Sequence, residues 1–545
     1  MRTYDRSVGG DQVSDIKNIL FIMTDQLRWD YLSCYGHPHL QTPNIDRLTE
    51  RGVRFDRAYV QSPVCGPSRA SYYTGRTVFS HGSTWNQVPL PIGELTLGDY
   101  LRPLGVTTAV VGKTHMAPDR EGMARLGLTP DTDIGAIVSQ PGFDAYERDD
   151  GLHPNKSLAK RPTGPRYNDW LRDLGYEGSN PWHDYANSAD GPDGEILSGW
   201  YLKNSNLPAR IPEEHSETAY MTMRARDFIT EMGDQPWLCH LSYIKPHWPY
   251  IAPAPYHDMY GSETFLPALR DDAERADPNP VYAAFMGMEV SRTFSQPGVR
   301  ETVLPGYMGL IKQIDDHLGR LFDWLDETGK SDETMIVFTS DHGDYLGDHW
   351  MGEKELFHEV SVRVPLIIAD PRPEADATRG TVSTALVEAI DLVPTFLAAT
   401  GAPPQPHRLE GRSLIPLLHG DTPDKWRDAV FSEIDYAFYA ARETLGLGAS
   451  DARGYMLRTE RWKYIHFKGF PPQLFDLDTD PEEFHDLGRK PEFESLRQRL
   501  HRQLTDRLMN RKNRTTISDE AVLRSLSEDA KSGVIIGKWD GPDAT

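Results

Sequence analysis

The chain has 545 residues, of which 38% are hydrophobic and 26% charged, a composition typical of a globular protein. Its 81 acidic and 58 basic residues give a formal net charge of −23, which argues against a nucleic-acid-binding surface because such surfaces are basic. No stretch approaches the roughly 18 apolar residues of a membrane span, and the polar N-terminus lacks a signal-peptide core, so we expect a cytoplasmic protein without membrane contact.

Short apolar runs typical of buried strands alternate along the chain with helical patterns. The predicted strands are residues 18–25, 53–60, 106–115, 235–247, 335–344 and 364–371. The predicted helices are residues 42–52, 215–233, 300–329 and 383–401. This alternation predicts an α/β fold in which a mostly parallel sheet is sandwiched by helices.

Two long segments depart from this alternation. Residues 117–212 are rich in Gly, Pro, Asp and Asn, and they carry several tryptophans: Trp170, Trp182 and Trp200. An excursion over the active-site face and a structural or oligomer-contact insertion are equally good explanations of this segment. Residues 261–299 form a second excursion of the same kind. We assign both insertions to a catalytic domain that spans residues 1–424.

The character of the sequence changes near residue 425. Short strand patterns with polar turns and a helical pattern at 489–512 predict a small α+β subdomain over residues 425–513. The remaining tail, 514–545, is polar apart from one apolar patch at 534–539. Such a tail is consistent with an arm that packs on a neighbouring subunit, so we expect a homo-oligomer.

Polar side chains follow two of the predicted strands. Asp25 and Gln26 close the first strand, and Asp341 and His342 follow the strand that begins at 335. Open α/β sheets bind ligands at the carboxyl ends of their strands, and these oxygen and nitrogen donors suit a divalent ion. Taken singly, an Asp after a strand is more often a cap or turn residue. Their joint occurrence at two strand ends favours a metal site.

The three cysteines are widely scattered, so no disulfide framework is expected. Cys65 precedes a helical pattern in which Gly66 is a plausible cap and Pro67 a good first residue. A helix N-terminus favours anions and lowers a thiol pKa, and Arg69 lies one turn further on. Three explanations of Cys65 remain open: a buried structural cysteine, a thiolate nucleophile and the precursor of a modified residue. A Cys-x5-Arg phosphatase fits poorly, because Ser71 occupies the position of its arginine.

The segment CGPSRASYYTGR at 65–76 resembles the signature of the formylglycine-dependent sulfatase family, within the alkaline phosphatase superfamily. Further segments match in order along most of the chain: FIMTDQLRWDYLSCYG, VVGKTHMA, SDHGDYLGDH, LRTERWKYI and LFDLDTDPEE. The resemblance implies an alkaline-phosphatase-like α/β domain with a small C-terminal α+β domain. It also implies that a formylglycine-generating enzyme oxidises Cys65 to formylglycine.

The resemblance assigns roles to individual residues. It places one divalent metal ion on a set of ligands: Asp25, Gln26, Asp341, His342 and the modified Cys65. Arg69 matches the arginine that supports the formylglycine hydrate. On the substrate side, Lys113 and Lys354 match the lysines that contact the sulfate. His115 matches the histidine beside the nucleophile, and His247 matches the histidine at the leaving group. Asn86 matches an asparagine of the related phosphonate monoester hydrolases. Taken singly, the lysines would be expected at the surface and the histidines in structural roles.

Two departures from the family pattern matter. Many sulfatases have Asp-Asp and Asp-Asn where this chain has Asp25-Gln26 and Asp341-His342, and the Gln and His resemble the phosphonate monoester hydrolase branch. A histidine ligand favours manganese or another transition ion, with calcium as the alternative. That branch, however, carries Tyr and Thr where this chain has Lys113 and His115. The active site therefore resembles a sulfatase site in a phosphonate hydrolase framework.

These matches predict hydrolysis of sulfate monoesters, with aryl sulfates as the expected class. One hydroxyl of the hydrated formylglycine would attack sulfur while Arg69, Lys113, Lys354 and the metal hold its oxygens. His247 would protonate the leaving oxygen, and His115 would take the proton of the second hydroxyl as sulfate leaves.

The same site would accept phosphonate monoesters and phosphodiesters, which also carry a single negative charge at the reacting centre. A phosphonate monoester hydrolase or phosphodiesterase is therefore one alternative. A catalytically silent metal- or anion-binding protein is another. Trp85, Tyr72 and the 117–212 segment could shape an aromatic substrate pocket, and an alkyl sulfate remains an alternative substrate.

Overall fold

A large central sheet organises the computed structural model, which describes residues 16–130, 132–151, 166–421 and 423–529. In chain order the strands β1 to β15 are Asn18–Asp25, Val53–Tyr59, Thr107–Gly112, Asp144–Arg148, Ser188–Asp190, Ile196–Ser198, Trp237–Pro246, Thr334–Ser340, Arg363–Ala369, Thr381–Ser383, Val387–Glu388, Ala429–Asp435, Arg453–Thr459, Trp462–Phe467 and Gln473–Asp476. The α-helices α1 to α17 are Pro43–Arg51, Cys65–Thr74, Val78–His81, Leu97–Leu101, Arg120–Arg125, Asp133–Val138, Arg166–Asp173, Glu217–Met232, Pro280–Met286, Glu289–Phe294, Val299–Glu327, Glu359–Val362, Leu392–Ala399, Ile415–Leu418, Ala440–Thr444, Glu494–Met509 and Asp519–Asp529.

The strand order of the central sheet is β10-β2-β9-β8-β1-β7-β3-β4, and β11 also pairs with β2. All neighbours are parallel except β9, which runs antiparallel to both β2 and β8. This confirms the predicted mostly parallel sheet. Because β1 and β8 are adjacent and parallel, their carboxyl ends meet at one edge of the sheet.

Helices cover both faces of the sheet. Successive side chains of a strand point to opposite faces, and β1 shows this directly: Phe21 packs into one apolar core and Ile22 into the other. The first core includes side chains of α2 and α13, and the second includes side chains of α1, α8 and α11. Burial on both faces explains why these strands read as continuous apolar runs in the sequence.

The helix predicted over 383–401 is wrong in its first half. Residues 387–388 pair with the edge of β2 as β11, a short 3-10 turn follows, and the α-helix begins only at Leu392. Glu388 and Asp391 form a capping box at this junction, so local hydrogen bonds end the extended backbone there. The apolar spacing of the segment arises partly from a buried edge strand rather than from a longer helix.

The 117–212 segment is not wholly an excursion, because residues 144–148 join the central sheet as β4 beside β3. The rest of the segment contains α5, α6, α7 and the small antiparallel pair β5–β6. The second segment, 261–299, contains α9 and α10. β4 escaped prediction because it is a short, polar edge strand that lacks an apolar alternation.

A second, antiparallel sheet of order β12-β13-β14-β15 lies in the C-terminal part of the chain. Helix α16 packs on it through Leu500 and Leu504, which contact Phe431 and Leu457. This confirms the smaller α+β unit with its helix.

The apolar patch predicted at 534–539 lies outside the described residues. Among the helices that are described, none has the length and apolar character needed to cross a membrane.

Candidate active site

Side chains from β1, β8 and α2 converge at the edge where β1 and β8 end. The four residues are Asp25, Cys65, Asp341 and His342, all fully buried, with one donor atom of each within 4.8 Å of the others. Cys65 Sγ lies 3.1 Å from His342 Nε2 and 3.9 Å from Asp25 Oδ1. The structure therefore brings together four of the predicted metal ligands, at the place where the strand pairing requires their backbones to meet.

Helix α2 positions Cys65 as its first residue rather than before its cap. Val64, in an extended conformation, is the N-cap, and its carbonyl accepts from Ser68 N at 3.0 Å. The prediction that Gly66 caps the helix is therefore wrong. The Gly66 N–H instead donates to Asn86 Oδ1 at 2.7 Å, and a Cβ on residue 66 would lie 2.9 Å from that oxygen. Asn86 thus satisfies an otherwise orphan amide of the first turn.

Arg69 lies behind the carboxylates. Its guanidinium contacts Asp341 Oδ2 at 2.7 Å and Asp25 Oδ2 at 3.0 Å, and it donates to Ser242 Oγ at 2.7 Å. It is fully buried and is not among the residues that line the cavity described below. Cys65 is likewise fully buried and outside that lining, so a contact between Arg69 and the sulfate oxygens stays a prediction. The observed contacts of Arg69 orient the two carboxylates and neutralise part of their charge.

Two buried lysines approach the cluster from the cavity. Lys113 Nζ lies 2.7 Å from Asp25 Oδ2, and Lys354 Nζ donates to Gln26 Oε1 at 2.9 Å. They are 2% and 5% exposed, far below what an ordinary surface lysine shows. Burial opposes ionisation of Cys65, yet Lys354 and Lys113 hold the pKa of its thiol well below the usual value. The field at residue 65 therefore favours negative charge.

His247 stands beside Lys354, with 3.2 Å between the histidine Nε2 and the lysine Nζ. The other ring nitrogen, Nδ1, lies 2.7 Å from the Trp248 carbonyl oxygen, so it carries the proton and Nε2 faces the cavity. Burial, with Lys113 and Lys354 nearby, lowers the pKa of His247 to about 3. The ring is therefore neutral at neutral pH.

His115 adopts a left-handed backbone conformation with φ of 55°. Asp150 holds this backbone, because its Oδ1 accepts from both Thr114 N and His115 N at 2.9 Å. Such strain persists only when surrounding contacts enforce it. We did not predict Asp150 as a site residue because it follows β4, a strand that we also did not predict. Its position in the Arg-Asp-Asp-Gly run at the end of that strand could have identified it.

Gln26 is also left-handed, with φ of 66°. Its Nε2 donates to the carboxylate of Asp344 and to Tyr250 Oη, the latter at 3.1 Å, which turns Oε1 toward Lys354. Burial raises the pKa of Asp344 to about 6. We did not predict Asp344 as a site residue either, although it lies two positions after His342 in the SDHGD run.

A cavity of about 470 Å³ opens above the cluster. Its lining combines the polar residues Asn86, Lys113, His115, Asp150, His247 and Lys354 with aromatic walls from Trp85, Trp182, Trp200, Trp248 and Phe438. The 117–212 segment therefore does contribute to this face. Tyr72 does not, because it is buried in the core and its hydroxyl donates to the Ser340 carbonyl at 3.0 Å.

The four-donor cluster has the chemistry of a divalent metal site: two carboxylates, an imidazole nitrogen and the side chain of residue 65. A second group of potential donors, Glu274, His349 and His358, is less suitable. The two imidazole rings there stack at 3.7 Å between centroids with 3° between their planes. Ligating lone pairs lie in the ring plane, so parallel stacked rings do not direct them at one ion.

Comparison with known proteins agrees with this geometry. Residues 17–402 match the family model described as Sulfatase. The chain belongs to the sulfatase family. Residues 347–510 also match a model described as N-sulphoglucosamine sulphohydrolase, C-terminal. Membership identifies a sulfuric ester hydrolase and implies a metal ion and a formylglycine, for which the observed cluster and Cys65 provide the residues.

Individual relatives of this sulfatase family member include both chemistries. The multifunctional alkaline phosphatase superfamily protein PehA of Trinickia caryophylli is 34% identical, over 88% of this chain and 93% of its own length. An arylsulfatase of Clostridium perfringens is 28% identical, over 87% of this chain and 91% of its own. The phosphonate monoester hydrolase SpPMH from Silicibacter pomeroyi superposes with a TM-score of 0.79 and 29% identity, covering 93% of this chain and 98% of that one. The alkaline-phosphatase-like fold is thereby confirmed.

Proposed function

We propose that the enzyme hydrolyses aryl sulfates, which are the sulfate monoesters of phenols. One observation carries this proposal: Lys113, Lys354 and His247 converge on the donor cluster at the base of an aromatic-walled cavity. Buried cations that are already in place stabilise the charge of a sulfuryl group more strongly than solvated ones. Flat aromatic walls suit an aryl leaving group better than a polyhydroxylated one.

The proposed mechanism begins at residue 65, whose Sγ marks where the hydroxyls of a hydrated formylglycine would lie. A divalent ion held by Asp25, Asp341 and His342 would polarise one hydroxyl, which would lose its proton to solvent water. The resulting oxyanion would attack sulfur as the ester S–O bond breaks. Lys113 and Lys354 neutralise the non-bridging oxygens, while Arg69 keeps Asp25 and Asp341 in position.

Two histidines move the protons in this proposal. His247 Nε2 faces the cavity beside Lys354 and delivers the proton to the departing alcohol oxygen. The anionic substrate offsets the effect of the lysines, which raises the pKa of His247 when the site is occupied. His115 Nδ1 has no hydrogen-bond partner among the described residues, so it is available as a base. It would accept the proton of the second hydroxyl as the C–O bond to sulfate breaks and the aldehyde re-forms.

We propose manganese as the metal, because His342 contributes a nitrogen donor to an otherwise oxygen-rich set, and calcium prefers oxygen ligands alone. Gln26 joins this set in the proposal through Oε1. Metal analysis of the purified protein and thermal shifts with Mn²⁺ and Ca²⁺ test the assignment. A larger rise in Tm with Ca²⁺ at equal concentration would contradict it.

A phosphonate monoester hydrolase or phosphodiesterase is the second candidate. It is favoured by the superposition on SpPMH, which is named as a phosphonate monoester hydrolase. The two candidates differ in the residues at 113 and 115, where Lys and His add positive charge and a base. We therefore propose sulfate as the preferred substrate and phosphonate monoesters and phosphodiesters as secondary ones.

The deciding experiment measures kcat/KM for an aryl sulfate, an aryl phosphonate monoester and an aryl phosphodiester that share one leaving group. The enzyme is produced together with a formylglycine-generating enzyme and loaded with Mn²⁺. Sulfate preference supports the proposal, and a much larger kcat/KM for the phosphonate supports the second candidate. Absence of turnover on all three would indicate the silent binding protein.

We also propose a homo-oligomer that assembles through the 514–545 tail. The described part of this tail carries α17, on which Leu523 is 68% exposed. Light scattering on the full chain and on a chain ending at residue 513 tests this proposal. An unchanged number of subunits after truncation would contradict it.

A further inference from the structure

A second concavity, which we call the apolar groove, adjoins the catalytic cavity. It has a volume of about 710 Å³ and is lined mainly by Trp200, Tyr201, Leu202, Trp248, Met288 and Val290. These side chains come from the end of the 117–212 segment, from the loop after β7 and from the start of α10. Tyr201 is 66% exposed, which is unusual for so large an aromatic side chain.

The apolar groove and the catalytic cavity share a wall. Trp200 and Trp248 line both, and their rings lie 4.9 Å apart in an edge-to-face arrangement. The wall stands next to the proposed acid, since the His247 and Trp248 rings are 4.2 Å apart. In the proposed reaction His247 protonates the leaving oxygen, so the alcohol part of the substrate lies on this side.

We propose that the apolar groove is a leaving-group subsite, which binds an uncharged apolar extension of the alcohol. This inference rests on the proposed function and narrows its substrate class to sulfate esters of alkyl-substituted or multi-ring phenols. The aryl ring occupies the catalytic cavity, and its extension crosses the Trp200–Trp248 wall into the groove. Substrate binding energy gained there is remote from sulfur and raises kcat/KM.

The charge of the groove supports an uncharged occupant. Its ionisable lining residues are Glu289, Glu353 and Lys203. Two carboxylates against one ammonium disfavour an anionic extension, whereas the aromatic and aliphatic walls reward apolar contact. A carboxylate at the end of the extension should therefore abolish the benefit of its length.

A series of 4-alkylphenyl sulfates from methyl to hexyl tests the subsite. Chain length changes the leaving-group pKa little within this series, so differences report binding of the extension. We expect kcat/KM to rise by about fourfold per methylene over the first few carbons, the factor that corresponds to burial of one methylene. The analogue ending in a carboxylate should lose this gain. A flat series in the parent enzyme would overturn the inference.

Two variants place a charge in the groove: Met288→Asp and Tyr201→Asp. Met288 is the N-cap of α10, a position that favours Asp, so this variant is expected to fold. Both should reduce the ratio of kcat/KM for hexylphenyl and phenyl sulfate at least tenfold. The matched control, Met509→Asp, changes a side chain that is 67% exposed at the end of α16 and should leave the ratio unchanged.

The outcomes separate the inference from the proposed function. If the parent enzyme does not turn over phenyl sulfate, the proposed function is contradicted. If it turns over all the sulfates at rates independent of chain length, only the subsite is contradicted. A second copy of the chain could instead cover the groove. If light scattering shows that Met288→Asp changes the number of subunits while the hexyl-to-phenyl ratio stays constant, the groove is a subunit contact and the inference is wrong.

Discussion

The ammonium nitrogen of Lys354 lies 3.2 Å from Nε2 of His247, so a proposed sulfate contact directly adjoins the proposed acid. Both side chains are buried, and the pKa of His247 is lowered to about 3 by burial and by the charges of Lys113 and Lys354. At neutral pH the imidazole is therefore neutral without substrate. We expect an anionic substrate, whose charge opposes that of the lysines, to raise the pKa of His247.

His247→Ala should therefore affect substrates according to their leaving groups. An alcohol with a high pKa needs protonation as it departs, whereas nitrophenolate leaves without help. We expect kcat to fall by about 10²- to 10⁴-fold for phenyl sulfate and far less for 4-nitrophenyl sulfate. The measurement is a plot of log kcat against leaving-group pKa. Equal losses across the series would show that His247 is not the acid.

The residues at 113 and 115 should set the preference between sulfate and phosphonate esters. The double variant Lys113→Tyr/His115→Thr replaces both residues with the types found in the phosphonate branch. It removes the Lys113 ammonium from Asp25, 2.7 Å away, and with it a cation that stabilises the sulfuryl transition state. We expect the sulfate-to-phosphonate ratio of kcat/KM to fall by about 10²-fold or more. An unchanged ratio would place the discrimination elsewhere.

Arg69→Met should reveal the role of the arginine behind the metal ligands. Loss of the guanidinium removes the nearest cation of Asp341 and leaves Asp25 paired with Lys113 alone, so the metal-free protein should lose about 3–5 kcal/mol of stability. Bound Mn²⁺ would then compensate the carboxylates, and the rise in Tm on metal addition should exceed that of the parent.

Arg427→Met is the matched control for that measurement, because Arg427 also pairs with a buried carboxylate, Asp391, away from the cluster. It should destabilise the fold without changing the response of Tm to metal. If the Arg69 variant responded to Mn²⁺ no more strongly than this control, the proposed support of the ligands would be wrong.

Glu433→Gln should change how stability depends on pH. Burial raises the pKa of Glu433 to about 8, against an unfolded value of about 4.5, although an N–H bond from Phe79 opposes the shift. Between these values the folded state holds a proton that the unfolded state has released. This contribution is complete below pH 4.5 and is lost as pH rises through 8, by up to about 1.4 kcal/mol per pH unit.

The amide that Glu433→Gln introduces cannot titrate, so the variant should gain Tm relative to the parent as pH rises from 5 to 8. The control is Glu492→Gln at an exposed position, which should show a constant difference. Thermal unfolding in a set of buffers checks both. A pH-independent difference for the Glu433 variant would contradict burial of a protonated carboxyl.

Much of the site could be predicted because its residues stand at the ends of apolar strands. Asp25 and Asp341 follow β1 and β8, and pairing of these strands suffices to bring the carboxylates together. The motif around Cys65 located the third element, α2. These inferences needed only strand periodicity, sheet geometry and a family resemblance.

What could not be predicted depends on contacts distant in sequence. Arg69 contacts Asp25 and Asp341, which are far from it in sequence, and no local pattern encodes these contacts. Asp150 was missed because β4 is a polar edge strand whose pairing with β3 is a tertiary effect. The wrong part of the predicted helix, 383–391, has the same origin, because residues 381–383 and 387–388 pair with the edge of β2 as β10 and β11.

The central claim is that oxidised residue 65 is the nucleophile. Protein produced with varying amounts of a formylglycine-generating enzyme will contain different fractions of converted Cys65, which mass spectrometry of the peptide carrying residue 65 quantifies. The account predicts that kcat for an aryl sulfate rises in proportion to the converted fraction and extrapolates to zero for the pure thiol. Full activity in a preparation that contains only the thiol would contradict it.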